Sequence, residues 1–312
     1  MMRRVLGRLA ASVGVVFGAV TLIFLILNWL PGDPAALIAG DAASPETVEQ
    51  IRAQLNLDRP LWDQYRDCLI GITRGDLGRS YVTREPVATR LLAQFPATLS
   101  LTLSAGLIAL VLGVTLGVLS ARFHGRWPDQ LIQLSALSVV SVPPFWLGLL
   151  AILCFSVYLG WLPVLGDGGF RADILPSTCL GLVVSVHFMR MVRSNVLDQL
   201  HEPYVTALRA KGLGQARVFY VHVLRNALIA AVTLLGVVIG ELLSGAVVIE
   251  TLFARQGLGR VAVEAISQKD LPVVQGAILL ASITYVVVNL LVDVSYVWID
   301  PRLRTDSLRG AR

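Results

Sequence analysis

The sequence predicts an all-α integral membrane protein with six transmembrane helices, on three observations. Of the 312 residues, 55% are hydrophobic and only 15% are charged, whereas soluble domains are about 25% charged. The apolar residues gather in long uncharged runs, and the basic residues lie mostly at the ends of these runs. A chain of this length cannot bury so much apolar surface in a soluble core, so its composition fits a bilayer.

Four helices follow from uncharged runs that are long enough to cross a bilayer, which takes about 20 residues. These runs predict helices 1, 2, 3 and 6 at residues 10–31, 91–121, 130–166 and 271–292. The first run is longer than the apolar part of a signal peptide, and no small-residue cleavage site accompanies it. It therefore predicts a retained helix.

Helices 4 and 5 are predicted from weaker patterns. Residues 174–189 form a short run, but Arg190 can extend from its end to the interface, and Pro176 suits a first helical turn. Residues 226–249 are long enough, although Glu241 lies in their middle. Both are predicted to span, because losing only one would place the chain ends on opposite sides of the membrane.

The distribution of basic residues predicts the orientation. With the N-terminus inside, the inner segments hold fifteen Arg and Lys residues, and the short outer loops hold four. Both termini are therefore predicted to be cytoplasmic. The loop after helix 1 holds seven arginines, but at about 60 residues it is long enough to be translocated whatever its charge.

This long outer loop is predicted to be a small folded insertion. Ser44-Pro45-Glu46 has the residues of a helix start, and a second helix is predicted from Leu61 to about Ile72. The predicted domains are an N-terminal tail with helix 1 (1–31), the extracytoplasmic insertion (32–94) and a membrane core (95–312).

The inner loop between helices 4 and 5, residues 194–225, is too long and too patterned for a simple turn. It contains a helix-forming stretch, 202–214, in which charges stand beside small apolar residues and Gly212 permits a sharp turn. A short amphipathic helix of this kind can dock into the groove of a partner protein. A solvated charged loop is the commoner alternative for a generic sequence.

Several function classes lack their sequence signature. The net charge of +5 is spread over helix ends rather than along one face, unlike a nucleic-acid-binding surface. The sequence has no GxxxxGK[ST] phosphate loop and no HExxH motif, and Cys68, Cys154 and Cys179 are too far apart for a CxxC site. No catalytic residue, metal site or bound cofactor is predicted for this chain.

Short motifs in a fixed order along nearly the whole chain carry a resemblance to one family. They include Pro31-Gly32-Asp33-Pro34, Leu57-Asp58-Arg59-Pro60-Leu61, Gly75-Asp76-Leu77-Gly78-Arg79-Ser80, the 202–214 stretch, His222-Val223-Leu224-Arg225-Asn226-Ala227, Gly257-Leu258-Gly259 and Asp300-Pro301-Arg302-Leu303-Arg304. Together they resemble the permeases of the peptide and nickel uptake family of ATP-binding cassette importers, whose inner loop is the EAA loop. The insertion after helix 1 is typical of the first of the two paralogous permeases.

The resemblance implies the type I importer permease fold and a set of partners. These are a second paralogous permease, two cytoplasmic ATP-binding cassette ATPases and an extracytoplasmic binding protein, all at the bacterial inner membrane. ATP and magnesium would be used by the ATPases and not by this chain. The permease would form half of a pathway that switches between outward and inward access.

The resemblance also assigns the ATPase-coupling surface to the inner loop. The residues that stand in the motif's positions are Glu202, Tyr204, Ala207, Arg209, Ala210, Lys211, Gly212 and Leu213. Leu208 departs from the family, since many relatives have a smaller residue there. That departure bears on how the ATPase docks.

Ionisable and strongly polar residues within membrane helices are candidate pathway residues, because they are costly in lipid. Glu241, Asn289 and Asp293 are the candidates, and His187 is a weaker one. Glu241 either attracts a cationic group of the substrate or pairs with a buried group of the second permease. A structural pairing at the interface is the better reading for Asp293.

Two sequence features bear on helix geometry. Pro143-Pro144 interrupts predicted helix 3, where it indicates either a kink or a packing feature. Gly113 and Gly117 have the small-xxx-small spacing of a close helix contact.

Di- or oligopeptides are the first substrate prediction, and nickel or a metal-chelator complex is the second. Residues 155–163 and 239–243 look somewhat like the nickel-type members of the family. A secondary transporter would be expected to show paired repeats with broken helices and more spans. Only the family resemblance argues against a passive channel.

Overall fold

The computed structural model describes residues 2–29, 33–40, 43–164 and 169–299, and most of them are helical. No strand occurs in these ranges, where Arg79 and Pro86 form an isolated bridge. The all-α prediction is confirmed. The α-helices are α1 (Met2–Trp29), α2 (Pro34–Ala39), α3 (Pro45–Gln54), α4 (Leu61–Thr73), α5 (Val87–Arg122), α6 (Trp127–Ser141), α7 (Pro144–Ala151), α8 (Phe170–Leu200), α9 (Pro203–Ala210), α10 (Gln215–Arg217), α11 (Leu224–Leu252), α12 (Leu258–Ser267) and α13 (Leu271–Ile299), and the π-helical segments are π1 (Ile152–Tyr158) and π2 (Val218–Val223).

Each predicted membrane helix coincides with helical structure. Among the described residues, α5, α8 and the Leu271–Val292 part of α13 are long and apolar enough to cross a bilayer. α6 passes the same test together with α7 and π1 as a bent pair, and α1 contains the shorter apolar stretch Val13–Ile26. α11 covers the predicted fifth helix.

Predicted helix 3 is not one continuous helix. α6 ends at Ser141, α7 begins at Pro144, and the two segments are bent by 103°. Between them, Val142 and Pro143 have extended backbone, with ψ of 130° and 140°. Proline lacks an N–H donor and disfavours the helical conformation of the residue before it. The proline pair therefore breaks the helix.

Helix 4 is longer than the sequence predicted. α8 begins at Phe170, so Pro176 lies inside the helix rather than in its first turn, and the helix continues past Arg190 to Leu200. The uncharged run ends at the first arginine, whereas an α-helix continues from lipid into water without a break in its hydrogen bonding.

The chain divides into two compact units, Met1–Thr98 with Gln256–Val286 and Leu99–Arg255 with Val287–Arg312. In the first unit, fully buried Asp270 fixes the loop that follows α4. Ser80 Oγ and the Tyr81 backbone N–H donate to its carboxylate, the latter at 3.0 Å, and Arg90 Nη1 lies 4.0 Å away. Burial, together with the negative charge of Asp270, raises the pKa of Tyr81 to about 12.

In the second unit, α8 packs against α5 and α11 around a core that includes Val184, Phe188 and Leu242. Glycines on α5 allow the close approach. A Cβ added at Gly113 would lie 2.4 Å from the Phe188 Cβ, and one at Gly117 would lie 2.7 Å from the Met189 carbonyl oxygen. The close contact predicted from the glycine spacing is confirmed.

We expect Gly113→Ala to lower the melting temperature of the detergent-solubilised protein by several degrees. The added methyl group meets α8 below contact distance, and overpacking typically costs about 1–3 kcal/mol. Gly14→Ala, where the space around the glycine is open, is the matched control. Equal melting temperatures for the two variants in a fluorescence melt would contradict the close α5–α8 contact.

We expect Asp270→Ala to loosen the insertion. The substitution removes the acceptor for Ser80 and Tyr81 and leaves the Arg90 guanidinium without its carboxylate, and breaking a buried charge pair costs about 3–5 kcal/mol. Limited proteolysis in detergent should then cut within residues 32–94 several times faster than in the parent chain. Asp63→Ala, which removes a half-buried carboxylate 3.7 Å from Arg66, should leave the cleavage rate unchanged.

Candidate functional site

The predicted coupling stretch folds as the short helix α9, which has a defined start and end. Pro203 occupies the first turn, and Glu202 precedes it in an extended conformation. At the other end, the Gly212 N–H donates to the Arg209 carbonyl at 2.9 Å, and the Leu213 N–H donates to the Leu208 carbonyl at 3.2 Å. This is the Schellman arrangement, and Gly212 has the positive φ of 82° that it requires.

α9 has an inner and an outer face. Val205 is fully buried, and Tyr204 and Leu208 are half-buried against the same core. The Tyr204 hydroxyl donates to Gln199 Oε1 at 2.9 Å, so this side chain anchors the helix to the end of α8. Of the eight predicted coupling residues, Tyr204 and Leu213 are half-buried, and Glu202, Ala207, Arg209, Ala210, Lys211 and Gly212 are exposed.

Leu208, the departure from the family pattern, points inward. Its side chain packs against the core that also contains Val205. The larger residue therefore fills space beneath α9 and leaves the exposed face of the helix unchanged.

The core beneath α9 continues into the next helix. Val218 and Val223 of π2 are buried in the same cluster as Val205, and π2 runs directly into α11. On the outside of π2, the Arg122 side chain at the end of α5 donates to the Tyr220 hydroxyl and lies 5.5 Å from the centre of its ring. A displacement of α9 would therefore act on the start of α11.

A hydrogen bond and an ion pair join the α8 and α11 segments. His187 Nδ1 lies 2.9 Å from Glu241 Oε2, and Arg255 Nε, just after α11, donates to Asp173 Oδ1 at 2.8 Å. Fourteen residues separate Asp173 from His187, and fourteen separate Glu241 from Arg255. The equal spacing fixes the antiparallel register of the two helices. The sequence had marked His187 and Glu241 separately and had not paired them.

The exposed faces of α8 and α11 are mostly polar. On α8, no residue from Ala172 to Val186 is exposed, and the next exposed positions are His187, Arg190 and Ser194. The exposed positions of α11 from 241 onward include one apolar residue, Val248. The polar strip, as we define it, consists of His187, Arg190, Ser194, Glu241, Ser244 and Thr251.

Other helices of the same unit expose apolar side chains. The exposed fraction is 64% at Leu103 and 63% at Leu107 on α5. This is the face expected to meet lipid. The residues of the polar strip require more polar surroundings than this face of α5 does.

The structure separates the remaining candidate residues. Glu241 lies in the polar strip, Asn289 is half-buried on α13, and the side chain of Asp293 lies outside the described residues. Arg193 of α8 donates to buried Asp129 of α6 at 2.9 and 3.0 Å. Arg190 instead lines an open cleft of about 550 Å³ beside α6.

The described residues contain no group of three or more His, Cys, Asp or Glu side chains placed to hold a metal ion. The arrangement is therefore one of surfaces: an exposed helix suited to a partner protein, and a polar face on helices that cross a membrane.

The sequence matches two family descriptions that between them cover most of the chain. Residues 113–305 match the binding-protein-dependent transport system inner membrane component, and residues 1–102 match the N-terminal part of such membrane components. A solved structure of the MetNI methionine ABC transporter, in inward-facing conformations, has a chain that aligns with a TM-score of 0.50 and 18% identity. The alignment covers 67% of this chain and 94% of the MetNI chain, which shows a shared fold.

Relatives match over nearly their whole length. The glutathione transport system permease protein GsiC of Escherichia coli (strain K12) is 41% identical, over 97% of this chain and 99% of its own. A putative peptide transport system permease protein of Brucella abortus (strain 2308) is 42% identical over the same shares of the two chains. This chain therefore belongs to the family of binding-protein-dependent inner-membrane transport components and is a multi-pass permease subunit of an ATP-driven importer.

Proposed function

We propose that this permease imports short peptides, glutathione-like peptides included, that an extracytoplasmic binding protein delivers. The names of the two relatives support a peptide substrate, and we do not retain the nickel alternative. The energy would come from two separate ATPases, which use ATP and magnesium, and a second paralogous permease would form the other half of the pathway. The exposed outer face of α9 is the observation that carries this proposal.

The build of α9 suits the transmission of force from a partner. Its outer face presents the positive side chains of Arg209 and Lys211 beside the small Ala207 and Ala210, which allows another protein to approach the backbone closely. The Schellman turn fixes its C-terminal end, and its inner face is seated in the core that reaches α11. Closure of the ATPases on ATP would thus move α9 and, through it, the membrane helices.

The orientation follows from the same assignment. If α9 meets cytoplasmic ATPases, both chain termini lie in the cytoplasm of a bacterial cell and the insertion lies outside. The excess of basic residues in the predicted inner segments supports this orientation. The Arg122–Tyr220 contact then lies on the cytoplasmic side, beside α9.

We further propose that Glu241, Asn289 and Asp293 contribute to the pathway. Glu241 has the strongest support, because its carboxylate is about two-fifths exposed on a membrane helix. A charge is retained there only beside water, a ligand or another protein chain.

We expect the double variant Arg209→Glu/Lys211→Glu to lose coupling to the ATPases. Reversing two exposed charges disturbs docking without touching the buried face of α9. With the partner chains reconstituted in proteoliposomes, ATP hydrolysis stimulated by the binding protein should fall at least tenfold, and less ATPase should co-purify.

Arg126→Glu, an exposed charge reversal in the loop before α6, is the matched control and should leave stimulation within twofold. Full stimulation in the double variant would reject α9 as the coupling helix. Peptide flux through this chain without ATP would reject the importer and favour a channel.

A further inference from the structure

The polar strip lies where a membrane protein normally presents apolar side chains to lipid. We propose that the strip lines the water-filled path of the substrate and binds the charged ends of a short peptide in transit, Glu241 taking the terminal ammonium and Arg190 the terminal carboxylate. This inference rests on the proposed function, because it names the part of the permease that the peptide touches.

The free-energy cost of placing a charged side chain in lipid distinguishes the strip from a lipid-facing surface. An ionised side chain at the centre of a bilayer costs at least about 2.5–3.5 kcal/mol, and the strip holds Glu241, Arg190 and the imidazole of His187. Between Leu101 and Leu112 of α5 in the same unit, the exposed positions are apolar instead: Leu103, Leu107, Val111 and Leu112. This part of α5 suits a lipid face, and the strip meets a different environment.

The strip is long enough to serve as a path. Ten residues of α11 separate Glu241 from Thr251, and seven residues of α8 separate His187 from Ser194. At about 1.5 Å per residue these segments measure roughly 15 and 10 Å. The His187–Glu241 contact at 2.9 Å joins them. The combined length of roughly 25 Å approaches the hydrocarbon thickness of about 30 Å.

The charges at the centre of the strip are available to a ligand. Among the described residues, Glu241 has His187 as its hydrogen-bond partner, on Oε2, and Arg190 has no acidic partner within ion-pair distance. Arg190 follows His187 by three positions, so the two side chains are neighbours on one face of α8. A negative and a positive group are therefore close together on one surface.

A short zwitterionic peptide carries the two charges that Glu241 and Arg190 would bind. Each extended peptide residue spans about 3.3–3.6 Å, so a di- or tripeptide places its two charged ends roughly 7–10 Å apart. His187 holds one oxygen of Glu241 and leaves the other to accept from the ammonium. The guanidinium of Arg190 offers a planar pair of donors to the carboxylate.

Cysteine accessibility tests whether the strip faces water. In a functional chain in which Cys68, Cys154 and Cys179 are replaced by alanine, Ser194→Cys, Ser244→Cys and Thr251→Cys are each reacted with a charged maleimide in the assembled transporter. We expect labelling at least tenfold faster than at Leu103→Cys and Leu107→Cys on the apolar face of α5, and slower labelling while a dipeptide is being transported. Labelling as slow as at the two leucine positions would overturn the proposal, since the strip would then face lipid or a sealed interface between permeases.

Charge-neutral substitutions test the binding roles. Glu241→Gln and Arg190→Gln should each lower the amount of dipeptide imported per ATP hydrolysed by about tenfold. Glu264→Gln is the matched control, because Glu264 is exposed to a similar extent and receives a 2.8 Å hydrogen bond from Arg260; its import ratio should not change.

Substitutions of His187 and Glu241 distinguish a purely structural contact between α8 and α11 from a ligand site. If the pair only joins α8 to α11, His187→Gln and Glu241→Gln should be equally harmful. If Glu241 binds the peptide, His187→Gln should retain most of the import ratio. Equal losses, or a normal ratio in Glu241→Gln, would overturn the inference. Absence of stimulated ATP hydrolysis in the unmodified chain would instead reject the proposed function itself.

Discussion

The antiparallel register of α8 and α11 is the constraint on which the rest of the second unit depends. Two contacts set it: the His187–Glu241 hydrogen bond at 2.9 Å between the helices, and the Arg255–Asp173 ion pair at 2.8 Å, in which Arg255 lies just after the end of α11. The neighbouring helices are then positioned from this pair. α5 approaches α8 through Gly113 and Gly117, and Gly148 of α7 is so close to α11 that a Cβ there would lie 2.3 Å from Leu252 Cδ2.

The same helix pair explains why α9 is placed to influence the membrane helices. A short turn separates the end of α8 at Leu200 from the start of α9 at Pro203, and π2 leads from the other side of the loop into α11. α9 is thus attached to both members of the pair and seated on a core that they share. π-helical turns occur often at functional sites, and π2 lies where such a movement would enter α11.

Much of the fold was predictable from the sequence, because the length of an apolar run and the cost of an unsatisfied backbone in lipid are local properties. Helical structure occurs at each of the six predicted spans, and three of them, or four with the bent pair, are long and apolar enough to cross a bilayer among the described residues. The start of α3 at Ser44-Pro45 and the turn at Gly212 were predicted from capping and turn residues. The 103° bend at Pro143-Pro144 was harder to predict, because a proline pair indicates where a helix is interrupted but does not fix the bend angle. The extension of α8 beyond Arg190 was missed because charge ends an apolar run but does not end a helix.

The sequence predicted individual residues of the candidate site but not which of them contact each other. The resemblance marked α9, but burial divides its residues into an anchoring face with Tyr204 and Leu208 and an exposed face with Arg209 and Lys211. No single-residue pattern pairs His187 with Glu241. The one sequence signal was the equal spacing of opposite charges in the α8 and α11 segments. This spacing can be interpreted only when the two helices are known to run antiparallel.

The opposite characters of the exposed faces follow from how deeply each helix is buried. Two thirds of the apolar stretch of α8 is buried within the chain, against one third for α5. Much of the circumference of α5 is therefore exposed and carries leucines, whereas only a narrow part of the surface of α8 is exposed. The exposed part of α8 and the adjoining exposed positions of α11 are mostly polar, and polar side chains are costly in lipid. The glycine contacts that place α5 against α8 thus leave two exposed surfaces of different character, an apolar one on α5 and the polar strip.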